Sequence, residues 1–187
     1  LGDVYISGLV DDSEGDVNIS TSGSIVADQP MTAAGGMSLQ STGKEVSVQD
    51  ISADSEITIA AAQGMLLGGN TTASSGAVTL VSSAAIDSVG EITSGSDTQL
   101  IAEGNVTLGT GGGNSISAAA NVSVTAEAGD LTMTGVTGSG DVTAISVSGT
   151  VSQSKDTVIS AGGAAILSAH DGIGIATVDA ANDVTLV

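Results

Sequence analysis

Two apolar residues separated by one residue return along the chain at a nearly constant distance. The first of each pair is Val17, Met37, Ile57, Val78, Thr98, Val122, Val142, Ala165 and Val184, where Thr98 takes an apolar place. Two residues later stand Ile19, Leu39, Ile59, Leu80, Leu100, Val124, Ala144, Leu167 and Leu186. Successive units lie 20, 20, 21, 20, 24, 20, 23 and 19 residues apart. Such alternation predicts a short strand with one buried face. A small residue two positions before most pairs (Gly15, Gly35, Ser55, Gly76, Ser96, Ala120, Gly140, Gly163) predicts a corner.

Each unit holds further short apolar segments: Ile25, Val46/Val48, Met65/Leu67, Ile86, Val106/Leu108, Leu131/Met133 and Ile173/Ile175. Two or three short strands per period of about 20 residues describe one turn of a parallel β-solenoid. The expectation is an all-β chain, a parallel β-helix of about nine coils. With coils about 4.8 Å apart it forms a rod roughly 40 Å long. An antiparallel sandwich is the competing all-β arrangement, but it would not place one residue class at matched positions in nine successive units. Val4 and Ile6 lie 13 residues before Val17 and Ile19, too close for a whole coil, and belong to the preceding turn.

Composition narrows the function. The 187 residues include no Phe, no Trp and one Tyr, so the core is thin and built from Val, Ile, Leu and Ala. Two Lys, no Arg and 21 acids give a formal net charge of -19. That balance excludes binding to nucleic acid, which needs cations against phosphates, and binding to anionic membranes through a basic face. Cysteine is absent, so there is no disulfide or thiolate metal site. The most apolar stretch, residues 57–69, is too short to span a bilayer, so membrane insertion is not expected. The pattern runs to both ends, and residues 1–187 are expected to be one repeat segment of a longer protein.

The recurrent "GNVTL", "GDLTMT" and "NDVTLV", spaced by segments such as "ISAGGAAILSA" at 159–169, resemble the filamentous-haemagglutinin-type repeats of large bacterial exoproteins. That resemblance implies a right-handed parallel β-helix in a secreted or cell-surface adhesin exported by two-partner secretion. It implies a non-catalytic shaft whose partners are adjacent repeats of the same protein, other filaments, or a host or cell-surface glycan or protein.

Few side chains suggest chemistry. His170 beside Asp171 has no third group to make a catalytic set and reads as a polar corner. Asp11, Asp12, Glu14 and Asp16 form the densest acidic run and are weak Ca²⁺ candidates, since "DDSEGD" matches no calcium-loop spacing. Otherwise no cofactor is expected. Asn18, Asn70, Asn105 and Asn121 open Asn-x-Ser/Thr sequons of the kind that arise freely in such strands. The two longest coils place their additional residues near Gly109, Gly111, Gly112, Gly113 and Asn114, and near Gln153 and Lys155. Insertions in a solenoid emerge as side loops, and these are the candidate binding residues for a glycan or Ca²⁺.

Overall fold

Repetition of the apolar pairs stacks the chain on itself. In a computed structural model, which describes residues 2–109 and 113–187, there are 27 short strands and no helix among the described residues. The strands form three parallel sheets of nine, and every third strand in sequence joins the same sheet. Each coil contributes one strand to sheet A, one to sheet B and one to sheet C, so the protein is a parallel β-solenoid of about nine turns. The predicted register holds throughout sheet C: Val17 pairs with Met37, Met37 with Ile57, and so on to Ala165 with Val184. Val4 pairs with Ile25 in sheet A, where Val46, Met65, Ile86, Val106 and Leu131 continue the column.

Sheet B has a different inward pattern, a large residue followed by a small one: Met31/Ala33, Ile51/Ala53, Ile92/Ser94, Ile116/Ala118, Val136/Gly138. At Gly138, crowding at the corner into sheet C accounts for the smallest member of the column. A Cβ on Gly138 would come within 3.1 Å of Val142 Cγ2 and 3.3 Å of Val122 Cγ2, the first inward residues of sheet C. Sheet C strands are longer, and a fifth position also points inward: Thr21, Ser41, Ala61, Ser82, Ala102, Ala126, Ser146. The hydroxyls there cap the next corner. Ser41 Oγ donates to the Gly23 carbonyl at 2.6 Å and accepts from the Lys44 amide at 3.0 Å. Ser146 does the same with Gly129 and Gly149.

The small corner residues do not owe their size to a left-handed backbone, since positive φ among the described glycines occurs only at Gly109 and Gly172. Their size answers to the coil beneath. A Cβ on Gly76 would stand 2.6 Å from the Glu56 nitrogen. Corners also absorb odd lengths. Four residues, 74–77, join sheets B and C in the coil begun at Ile57, against three, 54–56, in the coil before.

Outward positions follow the same columns. Sheet C carries two: Asn18, Ser38, Thr58, Thr79, Gln99, Ser123, Thr143, Ile166 and Thr185, then Ser20, Gln40, Ala60, Val81, Ile101, Thr125, Ile145 and Ser168. None is charged.

Among the described residues, two buried hydroxyls have no partner, Thr71 Oγ1 and Thr134 Oγ1. Thr71 lies in the inward column between Ile51 and Ile92. An unsatisfied buried hydroxyl costs about 1–3 kcal/mol, so Thr71→Val is expected to raise stability by about 1 kcal/mol in urea unfolding. Thr98, equally buried, shares a 2.8 Å hydrogen bond with Ser94 Oγ, and Thr98→Val is expected to lower stability instead. Equal effects at the two sites would refute this account of the difference.

Candidate functional site

An Asp or Asn immediately before a strand plays a part that recurs at all three corners. Its side-chain oxygen accepts the backbone N–H of the matching residue one coil on. Before sheet C, Asp16 accepts from Gly36 at 2.7 Å, Asp97 from Asn121 at 3.0 Å, Asn121 from Asp141 at 2.9 Å and Asp141 from Ala164 at 2.8 Å. Before sheet A, Asn105 accepts from Asp130 at 2.9 Å and Asp130 from Thr150 at 2.8 Å. Before sheet B, Asp50 accepts from Asn70 at 2.7 Å and Asn70 from Glu91 at 3.0 Å. These side chains extend the strand ladder around bends where the carbonyls turn away. The sequence signal is the Asp or Asn in segments such as "GDV", "GNV" and "GDL". Three of the four sequon asparagines are thereby committed to the ladder.

Charge follows from the same contacts. The Thr150 N–H, with its hydroxyl at 2.9 Å, holds the Asp130 carboxyl below the ordinary aspartate value. Asp3 is lowered chiefly by the Ser24 N–H and then by Lys44, whose ammonium is 3.1 Å away. A depressed folded value means the contribution is present above the unfolded aspartate pKa of about 3.9 and is lost as pH falls through the folded value. Asp130→Asn keeps the acceptor but cannot titrate. Its melting temperature relative to the parent is expected to rise as pH drops from 5 to 2. A constant difference across that range would refute the linkage.

The acidic run does not converge. Asp12 Oδ1 accepts from the amides of Glu14 at 3.0 Å and Gly15 at 2.9 Å, Asp11 accepts from the Thr32 hydroxyl at 2.5 Å, and Asp16 serves the ladder. Among the described residues no group of three or more His, Cys, Asp or Glu is placed to hold a metal ion. His170 Nδ1 lies 2.7 Å from Asp171 Oδ1 on the exposed surface.

The two insertions, in contrast, come together. Both fall at the corner between sheets A and B, in the sixth and eighth coils, after the strands Val106–Leu108 and Thr150–Gln153. The coil between them turns that corner with Thr134 alone, between Leu131–Met133 and Gly135–Gly138. Described residues that flank the two insertions border a saddle there. One recess of about 450 Å³ is lined by Gly113, Asn114, Lys155, Asp156, Thr157 and Val158. A second, of about 360 Å³, includes Thr107, Gly109, Thr132 and Thr134 and shares Lys155 and Thr157 with the first.

The described candidate residues have definite places there. Asn114 Nδ2 donates to Thr137 Oγ1 at 3.2 Å. Gln153 is structural: its Nε2 donates to Thr157 at 3.1 Å and its Oε1 accepts from the Ala176 amide at 3.0 Å. Gly109 adopts φ 70° over the Thr134 hydroxyl, where a Cβ would collide. Gly111 and Gly112 lie outside the described residues. Lys155 has no ion pair among the described residues, whereas Lys44 is held by Asp3. Asp156, at φ 62°, is the non-glycine residue with a left-handed backbone among the described residues, a strain of the kind stored at functional sites.

No protein-family profile matches the chain, and neither the curated proteins nor the solved structures include a match.

Proposed function

We propose that the chain is a shaft segment of a large secreted or cell-surface adhesin-like protein of the filamentous-haemagglutinin type, without catalytic activity of its own. One observation carries this reading. The same three strands recur in register through nine coils, so sequence length is converted directly into distance along one axis. Strand hydrogen bonds run from coil to coil, and the outermost strands offer open edges on which further coils of the same protein would stack. The test is calorimetry with neutral and acidic oligosaccharides and with Ca²⁺. A shaft shows no saturable binding to any of them, and saturable binding overturns the passive reading.

A second reading has its own support in the saddle at the sheet A to sheet B corner, where two insertions meet a lysine that has no ion pair among the described residues. There the segment would bind a cell-surface glycan. In that case Lys155→Gln is expected to weaken binding of an acidic trisaccharide at least tenfold, while Lys44→Gln leaves it unchanged. Equal loss in both variants would remove the saddle from consideration.

A further inference from the structure

The chain's charge is distributed unevenly, and the unevenness singles out one face. Acids occupy the corners, and on outward strand positions they occur in sheet A at Asp87 and in sheet B at Asp11 and Asp179. Both outward columns of sheet C are uncharged over their whole length, on a protein of formal net charge -19. The second column is also apolar at its centre: Ala60, Val81, Ile101 and Ile145 stack in register, with Thr125 the one polar member among them. Val81 remains 39% exposed although its neighbours along the column are aliphatic.

From this we infer that sheet C is a lateral docking face for a second copy of the chain, so that two solenoids pack side by side. The size of the face suits that occupant. Strands of five residues at about 3.3 Å each, stacked over nine coils about 4.8 Å apart, present about 700 Å². Two such faces would bury about 1,400 Å², within the range of a specific interface. Face-to-face sheets lie about 10 Å apart. That separation would set the corner acids beside sheet C, such as Asp97 and Asp141, opposite acids of the other copy. The Debye length is about 8 Å at physiological salt and about 30 Å at 0.01 M. Repulsion between the rims is therefore screened at the first condition and felt at the second. Association is weak at low salt and strengthens as salt is added, the reverse of an interface held by ion pairs. The inference rests on this face alone and stands whether or not the shaft role holds.

Sedimentation velocity and small-angle scattering of the chain in 0.01, 0.15 and 0.5 M NaCl test it. The expected result is a dimer above 0.15 M whose cross-section grows while its length does not. Val81→Asp and Ile101→Asp should weaken dimerisation at least tenfold. Ile101→Ser, which adds no charge, should weaken it in the same direction. Leu66→Asp, which adds the same charge to sheet A at a site 45% exposed, should leave dimerisation unchanged. Circular dichroism establishes that each variant is folded, and Ile101→Ser decides if either Asp variant on sheet C is not. A monomer at every salt concentration overturns the inference. So does growth in length without thickening, or equal loss in the Leu66 and Ile101 variants.

Discussion

Excision of residues 37–56 is expected to yield a folded rod one coil shorter, whereas deletion of Thr58 alone is expected to destabilise the protein by several kcal/mol. The excised segment carries one strand for each sheet: Met37–Ser41, Val46–Val48 and Ile51–Ala53. Without it, Val17 meets Ile57, Ile25 meets Met65 and Met31 meets Thr71, each the next member of its own inward column. Surface interactions of the segment go with it, such as the ion pair between Lys44 and Asp3 and the Ser24 to Glu45 hydrogen bond. An exposed ion pair contributes about 0–1 kcal/mol. Deleting Thr58 instead changes parity inside the strand Ile57–Ala61, and one of two fully buried isoleucines, Ile57 or Ile59, must turn outward. Losing a large core side chain costs about 2–5 kcal/mol. Thermal melting should separate the two variants, and scattering should show the first shortened by about 4.8 Å. If excision unfolds the protein as deletion does, the coils are not interchangeable units.

Leu100→Ala is expected to cost about 2–5 kcal/mol, while Leu66→Ala should fall within about 0.5 kcal/mol of the parent. Leu100 is fully enclosed in the fifth coil, between Leu80 and Val124 of the adjoining coils. The core has no aromatic ring to move into the vacated space. Leu66 has the same chemistry on the outward face of sheet A. Because each coil contacts only its neighbours, the damage is local. Hydrogen exchange should accelerate first in the strands holding Leu80, Leu100 and Val124, and the denaturant transition should broaden. Uniform loss of protection along the rod would contradict nearest-neighbour stacking.

The sequence made sheet C legible because its inward pairs are two large aliphatic residues around a polar one. The sheet A pairs, such as Val46/Val48 and Met65/Leu67, could be read in the same way. Sheet B could not, since its inward partner is Ala, Ser or Gly, and Ile51 followed by Ala53 looks like a single hydrophobic residue in a polar stretch. At Gly138 the reason is steric and lies across a corner, at Val122 and Val142, beyond the reach of local pattern. The ladder of Asp and Asn was visible as a motif but not as a function, because the amide each side chain serves is about 20 residues away. Before sheet C, Asp16, Asp97 and Asp141 accept from Gly36, Asn121 and Ala164 of the next coil, and Asn121 in turn accepts from Asp141. Both insertions were located from coil length alone. That they share one corner and flank Thr134 required the fold.

Hydrogen bonds that run along the axis determine how such a rod yields to tension. A pull on its two ends loads the bonds of one terminal coil at a time, rather than shearing all coils together. Each coil that peels away shortens the rod by about 4.8 Å. It releases about 20 residues, or about 70 Å of extended chain. Stretched from its ends, the segment would lengthen in discrete steps more than ten times the height of the coil each step consumes, a reserve of slack stored in an otherwise stiff rod.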